Sequence, residues 1–413
     1  MVAESATAEW RTHWTVALSA MVGMSFSSLA PSVLGLFIQP LSNQFAWTRA
    51  QISLGLSLYA LLAVPFSPLI GAWVDRRGPR WIAIPGLVLT TCAFASFSFA
   101  NGSISQWLGL WLCYAVVALA IKSTVWTAAV SKLFTAGRGL ALAVVFCGTA
   151  ISQALGPILA RGLIDELGWR NAYVWLGLGW GGISFLLVAV FFVDARGLRR
   201  SRSEDGTGVM AGLSGLTLRK ALHSPPLRKI ALATLIVSLL IGALIVHQVP
   251  ILTERGVSRA TATLLAAAAG IASLFGKLCT GLLFDHSRSG WIGAISLSLP
   301  AVGCALLLTA SPSLPTVACA MLILGYAAGA YLQLCTYLTT RYAGLPHFGK
   351  IFGVMASVLA IGTGVGPVVG GIVFDHFGSY QPLLRSGILA SLLSGFLVAR
   401  LGPYPEFSAQ SAQ

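Results

Sequence analysis

Long uninterrupted runs of apolar residues constrain this chain more than any other feature of its sequence. Residues 175–193 and 230–246, for example, contain no charged side chain. A helix rises about 1.5 Å per residue, so about 20 residues cross the hydrocarbon core of a bilayer, which is about 30 Å thick. The strands of a membrane barrel would instead alternate apolar and polar residues. The runs therefore predict an all-α polytopic membrane protein.

Composition excludes a soluble protein. Only 9% of the residues are charged and the mean hydropathy is +0.82, whereas about 25% of residues in soluble domains are charged. The net charge of +14 raises the question of nucleic acid, but the cations are concentrated in a few connecting segments, as in cytoplasmic loops. We therefore expect the lipid bilayer as a partner and no nucleic acid. The seven cysteines lack the spacing of a metal site or disulfide framework, and no cofactor is expected.

Twelve apolar segments predict twelve transmembrane helices. Their approximate ranges are 14–38, 50–73, 81–100, 105–132, 139–164, 172–193, 229–252, 260–284, 291–310, 315–340, 348–374 and 381–400. If successive spans alternate in direction, most cations fall on one side, and the positive-inside rule then predicts that both termini are cytoplasmic. We expect the cytoplasmic (inner) membrane or the plasma membrane. The polar, basic segment 194–227 predicts a cytoplasmic linker between an N-terminal bundle, residues 1–193, and a C-terminal bundle with a short tail, residues 228–413.

Landmark residues recur 210 positions later in the chain. The recurring pairs are Gly71/Gly281, Asp75/Asp285, Gly139/Gly349, Gly156/Gly366, Pro157/Pro367, Asp165/Asp375 and Gly168/Gly378. One shared spacing predicts two pseudo-symmetric six-helix bundles of the same topology. Secondary transporters use such a parallel repeat for alternating access around a central site.

Two motifs resemble those of a known family. The segment Gly71-Ala-Trp-Val-Asp75-Arg76-Arg77-Gly78-Pro79-Arg80 resembles the loop between helices 2 and 3 of the major facilitator superfamily, and the resemblance covers essentially the whole chain. It implies the major facilitator fold and a cytoplasmic gate. The gating residues that it implies are Asp75, Arg76, Arg80 and, in the second half, Asp285.

The second motif is a glycine-proline pair in spans 5 and 11. Gly156-Pro157 and Gly366-Pro367 resemble the motif of helix 5 in that superfamily and its counterpart in helix 11. Small residues let membrane helices approach closely, and proline loosens the backbone for bending. The four residues are therefore expected to serve as helix hinges, and plain helix packing is the alternative.

Spans 7 and 8 are similar to those of the monocarboxylate and oxalate/formate transporter group. The similarity lies in the segment that begins at His247 and in residues 277–285. It implies that Lys277 stands where this group usually carries an Arg that holds the substrate carboxylate. Ser273 and Ser32 stand in place of the helix 8 carboxylate and helix 1 lysine of animal members. Ser32 is retained as a substrate-binding candidate.

Three ionisable residues, Lys122, His247 and Lys277, lie well inside predicted spans, where a charge costs about 2.5–3.5 kcal/mol on insertion scales. Lys122 precedes Lys132 by ten residues and Lys277 precedes Asp285 by eight. At about 1.5 Å per residue, both lysines lie about 12–15 Å from the cytoplasmic side. Across a central cavity they would form an anion site, because the spans offer no acidic residue at that depth. Snorkelling to the interface and a structural ion pair are the alternatives.

The remaining candidates are polar or aromatic. Histidine titrates near neutral pH, so His247 is a candidate for proton coupling or for a substrate hydrogen bond. Further substrate-binding candidates are Trp126, Tyr331, Gln333 and Tyr59. Packing is the alternative for each of them. Trp81 and Trp107, near span ends, are typical of an interfacial aromatic belt.

The residues and the resemblance together predict a secondary active transporter of a small organic anion, a monocarboxylate, that works as a monomer. Proton coupling is implied by the resemblance alone, and import or export, exchange and facilitated diffusion stay open. The alternative is an exporter of neutral or anionic compounds from the same superfamily. No constellation of nucleophile, base and acid stands out in the sequence, so neither a catalytic residue nor an enzymatic activity is expected.

Overall fold

The structure is a computed structural model that describes residues 6–134, 137–192, 216–286, 290–309, 313–344 and 348–405. These residues contain no β-strand. The α-helices are α1 (Ala6–Ser27), α2 (Leu29–Phe45), α3 (Arg49–Arg77), α4 (Pro79–Ala95), α5 (Ile104–Ala118), α6 (Ser123–Leu133), α7 (Arg138–Leu176), α8 (Gly182–Phe191), α9 (Leu218–His223), α10 (Pro225–Glu254), α11 (Arg259–His286), α12 (Gly290–Leu307), α13 (Leu314–Ala343), α14 (Phe348–Phe377) and α15 (Gln381–Ala399).

Ten helical segments of the described chain are long and apolar enough to cross a membrane. One of them, Gly139–Phe191, contains two spans, because Gly168 interrupts it with a φ of 79°. Glycine adopts such a positive φ without strain. With the shorter apolar helix Trp291–Leu307, the described residues provide twelve spans. The predicted all-α membrane fold is confirmed.

Local sequence signals account for several helix ends. Thr48 opens α3 with a capping box, in which its hydroxyl accepts the N–H of Gln51 and the Gln51 side chain accepts the N–H of Thr48. Gly78, with a φ of 88°, separates α3 from α4, and Pro79 occupies the first position of α4. Short connections of this kind keep consecutive spans adjacent.

Contacts between Cα atoms divide the chain into two units. Unit 1 comprises Met1–Arg200 and Ile245–Ile271, and unit 2 comprises Ser201–Leu244 and Ala272–Gln413. In unit 1, α7 packs against α1 and α2; in unit 2, α12 packs against α13 and α15. Most of the predicted linker 194–227 lies outside the described residues, and its final part contains α9.

The 210-residue repeat is visible in the packing within each unit. In unit 1, Gly156 of α7 lies against α2, and a Cβ built on it would lie 3.4 Å from Leu29 Cδ1. In unit 2, Gly366 of α14 lies against the backbone of Leu239 in α10. Both partners are separated by the same 210 positions. The adjoining residues Pro157 and Pro367 lie inside α7 and α14.

A cluster of aromatic rings fills one part of unit 1. The ring centroid of Phe97 lies within 4.7–5.5 Å of those of Trp107, Trp111, Tyr114 and Tyr173. Trp107 is fully buried and donates its indole N–H to the carbonyl oxygen of Ile52 at 3.3 Å. Its assignment to the interfacial belt is therefore wrong, because its ring packs in the aromatic cluster and its indole N–H is bonded to a backbone carbonyl inside the protein. Trp81, by contrast, is 73% exposed.

Candidate functional site

Span 4 is not a continuous helix, and Lys122 lies at its interruption. After α5, a 3-10 turn covers Leu119–Ile121, and Lys122 then adopts an extended backbone with φ −68° and ψ 165° before α6 begins. The first N–H groups of a helix lack intrahelical acceptors and carry a partial positive charge. Lys122 is therefore the residue that precedes the N-terminus of α6, at an interruption inside a membrane span.

Neighbouring residues stabilise this interruption. Trp126 is fully buried and donates its indole N–H to the carbonyl oxygen of Ile121 at 2.7 Å. That bond satisfies a carbonyl at the point where the helix is broken. Gly86 of α4 lies against the 3-10 turn, and a Cβ built on it would lie 2.6 Å from the Cβ of Ala120. Trp126, a predicted substrate contact, is therefore fully buried in the structure, and its indole N–H is used by the backbone of the interruption.

Tyr59 of α3 connects Lys122 to span 1. The Lys122 Nζ lies 4.3 Å from the centroid of the Tyr59 ring, within the range of a cation–π interaction. The Tyr59 hydroxyl donates to the carbonyl oxygen of Ser27 at 3.3 Å. Pro31 lies four residues after Ser27 and has no N–H to offer that carbonyl. Tyr59 therefore uses an acceptor that proline leaves available, next to the break at Ser28 between α1 and α2.

The charge of Lys122 is not balanced by an acidic residue in the described part of the chain. Its partner there is the ring of Tyr59, and the ion pairs of these residues lie elsewhere. Ser32, on α2, is buried and donates its hydroxyl to the carbonyl oxygen of Ser28 at 2.8 Å. An ion in apolar surroundings is stabilised by a counter-ion. The arrangement therefore suits an anionic ligand.

The second lysine candidate lies in unit 2, where α11 and α13 approach closely. A Cβ built on Gly329 would overlap the carbonyl oxygen of Ser273 and would lie 3.0 Å from the backbone nitrogen of Lys277. Lys277 itself is partly buried, as are Tyr331 and Gln333 on α13. The described residues contain no group of three potential ligands able to hold a metal ion.

His247 belongs to the part of α10 that lies in unit 1. The residue is fully buried. At its neighbour Val246, the carbonyl oxygen contacts α2 so closely that a Cβ built on Gly35 would overlap it. The structure therefore holds His247 in a tightly packed segment of the helix.

An ion-pair cluster lies at one end of unit 1. The carboxylate of Asp165 accepts hydrogen bonds from the Nε of Arg161 at 3.1 Å and from the Nη1 of Arg259 at 3.4 Å. Arg259 also donates to the carbonyl oxygen of Leu36 at 3.3 Å. Sequence reasoning missed this cluster, although the i,i+4 spacing of Arg161 and Asp165 is a helical signal. The contact of Arg259 with Asp165 has no such signal, because the two residues lie 94 positions apart.

Among the predicted gating residues, Arg80 has well-defined partners. Its guanidinium donates to the carbonyl oxygens of Phe192 at 2.9 Å and Ala189 at 2.7 Å. Ala189 lies in the last turn of α8 and Phe192 is its C-cap residue, and a cation is favourable at a helix C-terminus. Arg76 is exposed. Asp75 and Asp285 have a helical backbone, and their side chains lie outside what the structure describes.

Replacing Arg80 with Gln is expected to lower the free energy of unfolding by about 1–2 kcal/mol, because the end of α8 loses two charge-assisted hydrogen bonds. Thermal unfolding of the purified protein in detergent measures the change. Arg77→Gln is the matched control, since Arg77 is exposed and its Cζ lies 5.7 Å from the Trp73 ring. Equal losses in both variants would contradict the capping role of Arg80.

Comparison with known proteins gives similarities along the whole chain. Residues 16–252 and 230–413 match the Major Facilitator Superfamily. Monocarboxylate transporter 11 of Homo sapiens is 27% identical over 408 residues, which cover 93% of this chain and 82% of that protein. The fujikurins efflux protein of Gibberella fujikuroi is 24% identical over 341 residues, 81% of this chain and 68% of that protein.

The fold has a solved counterpart. A bacterial homolog of the human lysosomal transporter Spinster, in an inward-facing and occupied conformation, matches with a TM-score of 0.68. The match covers 95% of this chain and 94% of that one at 19% identity. The likeness shows that the two chains share one fold.

Proposed function

Because the chain belongs to the Major Facilitator Superfamily, we propose that it carries a small organic anion, a monocarboxylate, across the membrane. Members of this superfamily are transporters and not enzymes, and the chain is accordingly an integral membrane transporter.

The observation that carries the proposal is the position of Lys122. Its ammonium lies at the break in span 4, over the ring of Tyr59, and has no acidic partner among the described residues. A carboxylate would supply the missing counter-charge. It would also accept hydrogen bonds from the first N–H groups of α6, in the way that broken transporter helices receive anionic substrate groups.

Other predicted contacts extend this proposal. We propose Lys277 as a further carboxylate-binding residue, and His247 as a group that takes up or donates a proton. Tyr331 and Gln333 are proposed hydrogen-bonding residues. The similarity to monocarboxylate transporter 11 supports a monocarboxylate as the cargo.

Transport assays in proteoliposomes test the proposal. We expect saturable uptake of labelled lactate or pyruvate, and we expect an inward proton gradient to raise accumulation severalfold. The matched neutral amide of lactate should not be carried, because it brings no counter-charge to Lys122. Saturable uptake that does not respond to the proton gradient would contradict symport and favour exchange or facilitated diffusion. Absence of uptake for every monocarboxylate tested would contradict the assignment of the cargo.

Export of a neutral or anionic compound is the second candidate function. The observation that favours it is the similarity to the fujikurins efflux protein. Vesicles of the two orientations distinguish the candidates, because an exporter would move a neutral compound outward without transporting lactate.

A further inference from the structure

A groove on unit 2 runs between α12 and α15, which form spans 9 and 12. Its volume is about 700 Å³. Small buried residues, Ala294 and Gly395, alternate with large exposed ones, of which Ile295 is 60% and Phe396 55% exposed. A Cβ built on Gly395 would overlap the hydroxyl of Ser298. The two helices approach closely at these small residues, and the groove lies between the large side chains on either side.

The length of the groove matches one leaflet of a bilayer. Along α12 it extends from Trp291 to Val302, which is about 16 Å at about 1.5 Å per residue. Half of a hydrocarbon core about 30 Å thick is about 15 Å. An acyl chain that reaches from the interface to the bilayer centre therefore fits along the groove.

One end of the groove is cationic. Arg400 follows the last residue of α15, lines the groove and is exposed, with its Cζ 5.2 Å from the Phe396 ring. The ammonium of Lys229 donates to the carbonyl oxygen of Arg400 at 2.7 Å, so it adds a second positive charge at the same place. Trp291 lines this region as well, and tryptophan is typical of the membrane interface. Neither cation has an acidic partner among the described residues.

We propose that this groove binds an anionic phospholipid, with one acyl chain between α12 and α15 and the phosphate group at Arg400 and Lys229. Basic pockets between membrane helices are suited to such headgroups. The two cations favour an anionic lipid over a zwitterionic one, because they provide no acidic group for a choline or an amine.

Native mass spectrometry of the full-length protein tests the headgroup. The purified protein is titrated with phosphatidylglycerol and, separately, with phosphatidylcholine of the same acyl chains. We expect phosphatidylglycerol to bind more tightly, and we expect Arg400→Gln and Lys229→Gln each to weaken its binding about fivefold. Phosphatidylcholine binding should change little in both variants.

Arg385→Gln is the matched control, because Arg385 lies near the other end of α15, where it donates to the Gln381 side chain at 3.4 Å. This variant should keep the affinity for phosphatidylglycerol. An equal loss in the control, or equal binding of the two lipids by the unmodified protein, would overturn the proposal.

Photocrosslinking tests the position of the acyl chain without any substitution. Phosphatidylglycerol with a diazirine in the middle of one chain is bound in detergent and activated, and the labelled peptides are mapped. We expect adducts concentrated in residues 291–302 and 392–400. Adducts spread evenly over other exposed apolar surfaces, such as Leu112 and Val116 of α5, would overturn the proposal. A lipid-free dimer in the native mass spectra, with no lipid adducts in the groove, would also overturn the proposal and would assign the groove to a second copy.

Discussion

Replacing Lys122 with Met is expected to abolish transport of the proposed organic anion while the protein stays folded. Without the ammonium, the cargo carboxylate would be buried without a counter-charge, which costs about 3–5 kcal/mol and corresponds to a loss of more than about 100-fold in transport efficiency. The empty protein should be at least as stable as before, because a charged side chain inside a span is itself unfavourable by about 2.5–3.5 kcal/mol. Initial uptake rates in proteoliposomes and unfolding temperatures in detergent measure the two effects.

Matched variants separate charge from packing at this site. Tyr59→Phe keeps the ring beside Lys122 and removes only the hydrogen bond to Ser27, so we expect a smaller loss of transport. Lys220→Met is the control for loss of a lysine, because Lys220 is exposed on the short helix α9. Undiminished transport by Lys122→Met would refute its role in binding. The same assay with Lys277→Ala, for which we also expect loss of uptake, tests the second lysine separately.

The second large effect is expected from Gly366→Ala in α14. The new Cβ would overlap the carbonyl oxygen of Leu239 and would lie 2.8 Å from the backbone nitrogen of Ala243. Both atoms belong to the backbone of α10, so the helices must separate, at a cost of about 1–3 kcal/mol or more. The equivalent change Gly156→Ala should be tolerated better, because its Cβ would meet side-chain atoms of Leu29 and Val33 at 3.4 and 3.1 Å. Unfolding temperatures of the variants measure the difference.

Gly353→Ala provides the control on the same helix. A Cβ built on Gly353 has nothing within 4 Å, and alanine favours a helix over glycine by about 1 kcal/mol. We therefore expect this variant to be as stable as the original protein or more stable. If Gly366→Ala were equally harmless, the close contact between α14 and α10 would not contribute to stability.

Much of the fold is predictable from the sequence, because each span must be apolar over its whole length. The same constraint makes Lys122 conspicuous, since an ionisable residue inside a span needs a reason to be there. The break at Ser28 has a local signal in Pro31, which removes a helical hydrogen bond. The break at Lys122 has no such signal. Neither proline nor glycine lies in residues 118–126.

Some features of the structure depend on tertiary contacts, and the sequence alone does not predict them. The interruption of span 4 depends on the bond from Trp126 to Ile121 and on the space left by Gly86. The bonds of Arg80 to the end of α8 join residues that lie 109 and 112 positions apart. Helical periodicity reports which face of a helix is apolar, but it does not report which other helix that face meets.

The surroundings of Lys122 also have a consequence for the valence of the cargo. In the proposed complex a monoanion would neutralise the Lys122 ammonium, and the pair would lie in the apolar interior without net charge. At Lys122 alone, a dianion would bring a second carboxylate that this one ammonium does not neutralise, and a zwitterion would add an ammonium beside Tyr59, where the described residues form no ion pair. If Lys122 binds the cargo as proposed, selection in unit 1 begins with the number of charges that the molecule carries, before its shape is tested.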